Sequence, residues 1–284
     1  MKPALAFVSL ALLCVFITGI AYAESNDITI VYIDDKTVAE IGPYPFSRDR
    51  YADFIDSIYS NYAPKCLYLN LLISEHQEGS AHGDSKLISS IAGKPNLFFS
   101  AMTSNTAVDH DSYDASLFNE ITSNRWWVTQ GALLPLAEIA QGGAFASISD
   151  VGLNRRGVVE GVPTVVRIDG NNYLSTPLFL SMVYLDILPG QAFRNGTLYY
   201  GKHRVKTDSQ GWYDIDFRHT FKSYSYQEIL ANTASKKDID QRIVMLGLDL
   251  PAIETYLEVD RKRKTTGVEV IAHATQTLIG FYRR

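Results

Sequence analysis

The stretch "TIVYIDDKTVAEIGPYPFSRDRY", residues 29–51, decides how this chain is read. An apolar run ends in Asp34 and Asp35, a short segment closes at Gly42, and Arg48 and Arg50 follow an aromatic–Pro–aromatic step. In "ITIVYI" (28–33) nearly every position is apolar, the mark of a strand buried on both faces, as in the parallel sheet of an α/β domain. "KTVAEI" reads as a short helix, and "RDRYADFIDSIYSNY" places Tyr51, Phe54, Ile55, Ile58 and Tyr59 at helical spacing. Polar side chains at the carboxyl end of such a strand stand at the rim where α/β domains bind ligands. Adjacent strand residues point to opposite faces, so Asp34 and Asp35 cannot form a facing acid/base pair. One of them is expected to cap the next helix while the other pairs with Arg48 or Arg50, with Asp34–Arg48 the favoured pair.

Upstream, Lys2, the apolar run "ALAFVSLALLCVFITGI" and the A-x-A step of "AYAES" read as a signal peptide over residues 1–23, with the rest of the chain, 24–284, as one domain. An uncleaved N-terminal anchor in the inner membrane is the competing reading, because the run is about long enough to span a bilayer. Either way the domain is expected outside the cytoplasm, in the periplasm. The chain carries 26 basic and 31 acidic residues, a net charge of −5. Loss of Lys2 with the leader makes it −6, which argues against a nucleic-acid partner. Outside the leader the single cysteine is Cys66, inside "CLYLNLLI", so an intramolecular disulfide has no second thiol and Cys66 reads as a core atom.

Downstream, strand and helix signals alternate. "KCLYLNLLI" (65–73) is a second buried strand, "DSKLISSIA" a helix opening at an Asp84 cap, and "NLFFSAM" a third strand. Residues 103–126 are polar and without period, an excursion or lid. "VPTVVRI" is a hairpin strand turning at "DGNN", "TPLFLSMVYLDIL" a helix with Pro177 in its first turn, "QRIVMLGL" another strand, and "GVEVIAHATQTLIGFY" a closing amphipathic helix. The expected fold is therefore α/β: a single layered domain with a mixed, mostly parallel central sheet, helices on both faces and hairpin additions.

Catalytic and cofactor signals are weak. "GTLYYGKH" (196–203) matches part of a phosphate-binding loop but lacks the magnesium-holding Ser or Thr, and its interior reads as strand. "VDHDSYD" (108–114) fits neither a calcium loop nor a zinc spacing. "KTTG" (264–267) has no upstream S-x-x-K partner, and no G-x-S-x-G turn exists. His273 is a lone helix histidine, more in keeping with packing than with catalysis. No cofactor and no metal are expected, and the chain is read as non-enzymatic. An exported hydrolase using Asp34 or Asp35 with His273 is the alternative from another class.

Residues 28–74 resemble the opening of the type 2 CHASE domain family, extracytoplasmic sensory modules of bacterial signalling proteins. The likeness rests on Ile33, Asp34, Asp35, Gly42, Tyr44, Pro45, Phe46, Ser47 and Arg48, then the helix from Tyr51 and the strand from Lys65. "GAFASISDVGLNRRGVVEGVP", with Gly157, Val158, Val159 and Pro163 in step, and the ending "TTGVEVIAHATQTLIG" are also similar to the family's pattern. Asn70 stands where the family usually has aspartate, Glu160 where it has arginine and Thr266 where it has proline. The resemblance implies a sensor domain that binds a small molecule or partner protein, with Asp34, Asp35, Tyr44, Arg48 and Asn70 as the ligand rim. Gly42, Pro45, Phe46, Gly157, Pro163, Gly267 and His273 are implied as structural positions. Because the family is usually followed by membrane helices and a cytoplasmic enzyme, two expectations follow: an accessory subunit working through a membrane-bound kinase or cyclase, or a degenerate fragment of such a receptor.

Overall fold

The computed structural model describes residues 23–77, 79, 81–106, 126–260 and 263–284. Among the described residues seven strands form the central sheet: β1 (Ala23–Asp34), β2 (Cys66–Leu69), β3 (Leu97–Ser104), β4 (Gly131–Leu133), β5 (Phe145–Ile148), β6 (His219–Ser225) and β7 (Ile243–Asp249). Their order is β6-β1-β7-β2-β3-β4, with β5 also on β3; every pairing is parallel except β3–β4. The helices are α1 (Asp35–Ile41), α2 (Arg48–Asn61), α3 (Ala81–Ile91), α4 (Ala137–Gln141), α5 (Thr176–Tyr184), α6 (Pro189–Ala192), α7 (Tyr226–Leu230) and α8 (Gly267–Tyr282). The fold is thus α/β with a mostly parallel sheet and smaller added sheets, as the sequence pattern implies.

Period-two alternation divides each central strand between two cores. Val31, Ile33, Leu67, Leu69, Leu97, Phe99, Val244 and Leu246 face one side, where they pack with residues of α2, α3 and α7. Ile28, Ile30, Cys66, Tyr68, Phe98, Ile243 and Met245 face the other, against α5 and α8. With both faces covered, the strands read in sequence as continuous apolar runs. Gly247 is what lets α8 approach the sheet, since a Cβ there would lie within 2.5 Å of the Val268 side chain. Asp27, buried in the first half of β1, accepts from Arg283 Nη1 and Nη2 at 2.5 and 2.7 Å, from Gln276 Nε2 at 3.0 Å and from Tyr184 at 2.8 Å. Burial opposes its ionisation, yet these donors hold its pKa below the ordinary value and tie β1 to the C-terminal parts of α5 and α8.

Several elements differ from expectation. β2 ends at Leu69 rather than Ile73: Asn70 makes the last ladder bond to Leu246, and Leu71 and Ile73 are apolar because they pack on the helix face, not because they are strand. α3 begins at Ala81, so Asp84 lies within its first turn and is not its cap. "VPTVVRI" is two strands, Val159–Pro163 and Val165–Ile168, broken where Thr164 bonds to the carbonyl of Gly211; the second turns at Asp169–Gly170 into Asn171–Leu174 as expected. The helix expected over 176–188 stops at Tyr184, where Asp186 adopts φ 54 and Pro189 starts α6. β6 went unrecognised in the sequence: it is a sheet edge, with exposed residues such as Thr220 and Lys222. α8 is buried almost all round rather than along one stripe, because residues 213–221 cover its outer side, Tyr213 bonding to the Ala274 carbonyl. Most of the excursion expected over 103–126, including "VDHDSYD", and the leader apart from Ala23 lie outside the described residues.

Candidate functional site

The chain leaves β1 and β2 toward the α2–α3 face, but leaves β7, which lies between them, toward α8 on the opposite face. Such a reversal opens a crevice at the carboxyl ends of the strands, the place where open α/β sheets bind ligands. The residues at this edge are Asp34, Asp249 and Asn70, with Asp34 and Asp249 directly opposite each other across β1 and β7.

Asp34 is the N-cap of α1. Its Oδ1 accepts from the Thr37 amide at 2.9 Å, the Thr37 hydroxyl at 2.6 Å and the Ser225 hydroxyl at 2.9 Å. Burial raises its pKa, but the Thr37 and Ser225 donors outweigh it and leave the carboxyl below the ordinary value. The capping expectation therefore holds, and the Asp34–Arg48 pair does not form. Arg48 points away, its Nε 3.7 Å from Asp84 Oδ1 and its Nη2 donating to the Glu75 carbonyl at 3.2 Å. Helix geometry explains this: the cap consumes the aspartate facing α1, and Arg48, in the first turn of α2, faces the segment that follows β2. Asp35 is the first residue of α1 and is exposed.

Tyr44, Arg48 and Asn70 do come together. With Pro45, Phe46, Tyr51, Leu71 to Ile73 and Gln77 they line a cavity of about 390 Å³; neither Asp34 nor Asp35 is part of its wall. The α1–α2 loop is set by Gly42, whose φ of 109 suits only glycine, and by the cis Tyr44–Pro45 bond. Phe46 is buried against Tyr44, Tyr51 and Tyr226, with ring centroids 5.7 to 6.4 Å apart. Gln77 Oε1 accepts the Arg48 backbone N–H at 3.0 Å and holds the far wall. Burial raises the Tyr44 pKa, and the nearby Glu254 charge adds to it, so its hydroxyl is a neutral hydrogen-bonding group.

Asn70 joins the cavity to the interior. Its Oδ1 accepts from Tyr68 at 2.8 Å; Tyr68 meets Ser149 at 2.8 Å, and Ser149 meets Ser100 and Thr176 at 2.8 and 2.9 Å. Thr176 is the first residue of α5, so a chain of hydroxyls runs from the cavity to the opposite face of the sheet. The Glu254 carboxylate sits at the N-terminus of α8, accepting the Gly267 N–H at 3.2 Å; burial and the Asp249 charge raise its pKa. The sequence reading missed Asp249 and Glu254. The signal was present, because "IVMLGLD" ends in an aspartate just as "ITIVYID" does.

His273 lies elsewhere, in a cleft with His219, Phe221, Arg263 and Glu269, and neither Asp34 nor Asp35 lines that cleft. Burial first, then the charges of Arg263 and His219, push its pKa down to about 3. The Asp–His pairing required by a hydrolase is not assembled. Of the remaining motif positions, Gly157 takes φ 78 in the turn from Asn154, Pro163 pairs with Trp212, and Gly267 opens α8 behind its Thr266 cap, whose hydroxyl accepts the Glu269 N–H at 3.3 Å. Among the described residues no group of three or more metal-ligating side chains is found, and no helix is long and apolar enough to cross a membrane.

Fold and crevice together define a layered α/β domain whose polar crevice lies where its strand connections reverse. The chain belongs to the CHASE2 domain family, whose model matches residues 9–284. This is an extracytoplasmic sensory family and not a catalytic one. No curated protein and no solved structure matches the chain.

Proposed function

We propose that this domain senses a small molecule in the crevice formed by Tyr44, Arg48 and Asn70, outside the cytoplasm, and passes its occupancy to a membrane-bound signalling protein, a kinase or a cyclase. The observation that carries this reading is the convergence of those three side chains on one cavity at the reversal of the sheet's connections. Its volume of about 390 Å³ lies within the range of small-molecule sites. Tyr44, Phe46 and Leu71 offer an apolar wall; Arg48 and the Asn70 amide nitrogen offer donors to an acceptor on the ligand. The hydroxyl chain from Asn70 through Tyr68 and Ser149 to Thr176 supports a route by which occupancy alters α5, the neighbour of α8.

The test is a thermal-shift screen of the purified protein against small metabolites, since a ligand of the folded state raises the melting temperature. A compound of this site stabilises the wild type and loses that effect in Tyr44→Ala and Asn70→Ala, while both variants stay folded. A compound that shifts all three proteins equally binds elsewhere and contradicts the assignment.

A further inference from the structure

The far wall of the Tyr44 crevice is backed by a histidine set between two carboxylates. His76 belongs to the segment that follows β2 and precedes Gln77, which lines the crevice. Its Nδ1 is 3.2 Å from Oδ2 of Asp84, in the first turn of α3, and its Nε2 is 3.4 Å from Oε1 of Glu138, in α4. Two carboxylates from two helices thus meet the two nitrogens of one ring. A neutral imidazole carries a single N–H, so it donates to one carboxylate while its other nitrogen sets a lone pair against the second. The imidazolium donates from both nitrogens and satisfies both.

Asp84 connects this ring to the crevice. Its side chain is 7% exposed; Oδ2 also accepts the Gln77 N–H at 3.0 Å, and Oδ1 faces Arg48 Nε at 3.7 Å. Gln77 Oε1 in turn accepts the Arg48 N–H at 3.0 Å. Residues 76 and 77 and the first turn of α2 are therefore fastened around one buried carboxylate. The charged groups facing His76 are Asp84 from α3, Glu138 from α4 and, beyond Asp84, Arg48 from α2; its chain neighbour Glu75 meets Arg48 through its carbonyl. With His76 protonated, two positive groups balance two negative ones. Without that proton one negative charge is left over beside a buried carboxylate, an arrangement that burial penalises. His82, also in the first turn of α3, is exposed and takes no part in these contacts.

We propose that proton uptake by His76 fastens the Gln77–Arg48 wall and so regulates the Tyr44 crevice, closing its wall in acid and loosening it when the ring is neutral; this rests on the reading of that crevice as the ligand site. Histidine changes charge between about pH 5 and 8, a window in which ordinary carboxylates stay ionised. Loss of the proton removes one of the two ring contacts and frees residues 76 and 77. The fraction of molecules with a formed wall then falls, and apparent ligand affinity falls with it. The His76 and Glu138 side chains are 60% and 40% exposed, so solvent screens the clamp and the change is modest, about threefold.

The test is amide hydrogen exchange on the ligand-free full chain, read by NMR at about pH 5.5 and about pH 7.5, on either side of the ordinary histidine titration. The reporter is the Arg48 amide, whose acceptor is the Gln77 side chain, with the Phe54 amide of the same helix as reference and intrinsic rates divided out. Relative to Phe54, protection of Arg48 in the wild type is expected to be about threefold higher in acid. In His76→Gln it stays at the lower value at both pH values, and in Glu138→Gln, which keeps the Asp84 arm alone, the change shrinks. His82→Gln behaves as the wild type. Arg48 protection that does not change with pH in the wild type, or a change that survives in His76→Gln, overturns the proposal. Because no ligand is present, that result leaves the assignment of the crevice standing, whereas a failed thermal-shift screen leaves the His76 clamp standing.

Discussion

Asp34→Ala separates a structural carboxylate from a ligand contact. One Asp34 oxygen serves three donors: the Thr37 amide, the Thr37 hydroxyl and the Ser225 hydroxyl. Losing the cap costs about 1 kcal/mol. The two hydroxyls lie 3.1 Å apart and can bond to each other, so the substitution strands roughly one of them, about 1 kcal/mol more. The sum, about 2 kcal/mol, corresponds to a fall of about 4–8 °C in melting temperature for a domain of this size. Asp34→Asn keeps a capping oxygen and falls by about half as much. The pH dependence has a definite sign. The folded-state pKa is depressed, so the carboxylate's contribution is present above the ordinary carboxylate pKa and is lost as pH falls through the folded value. Scanning calorimetry at neutral pH and at about pH 3 therefore finds a gap between wild type and Asp34→Ala that narrows in acid. A melting temperature unchanged by Asp34→Ala, or a gap as wide in acid as at neutrality, refutes the reasoning.

Gly247→Ala forces a methyl into Val268, and denaturant unfolding is expected to show a loss of roughly 2 kcal/mol, with α8 displaced. Arg283→Ala leaves the Asp27 carboxylate, 4% exposed, with Tyr184 and Gln276 as donors; urea unfolding is expected to show a loss of about 2 kcal/mol, below the 3–5 kcal/mol of a fully buried pair because Arg283 is itself about half exposed. That loss shrinks as pH falls through the depressed pKa of Asp27, since only the charged form needs the arginine. Cys66, fully buried, has its thiol pKa pushed up by desolvation, so in a Cys14→Ser background a thiol reagent is expected to react only at the rate of global unfolding; fast labelling of the folded protein contradicts the packing described here.

Much of the fold was legible because both faces of the parallel strands are buried. "ITIVYI" and "QRIVMLGL" had no polar alternation to hide them, and Gly42 and Asp169–Gly170 marked turns that only left-handed backbone can make. β6 was illegible because an edge strand with exposed Thr220 and Lys222 carries little period-two signal. Leu71 and Ile73 misled for the opposite reason, being apolar without lying in a ladder. Of the five residues expected at the rim, Tyr44, Arg48 and Asn70 line one cavity, while Asp34 and Asp35 do not. The partner of Arg48 was not foreseen, because Asp84 reaches it only through the fold of a segment 36 positions away, and helix-capping chemistry had already claimed Asp34. Asp249 was marked only as a second strand-end aspartate; that it lies beside Asp34, with Glu254 near the rim, follows from β7 inserting between β1 and β2, which the sequence alone does not encode.

The central claim is that the reversal crevice is where this domain takes its ligand. Site-resolved hydrogen exchange tests it most directly, comparing the free protein with its complex with a compound that raises the wild-type melting temperature. The account predicts slowed exchange confined to residues 42–48 and 70–77, extending through Ser149 to the start of α5 and absent in Asn70→Ala. Protection that bypasses these segments, or that persists unchanged in the variant, contradicts it.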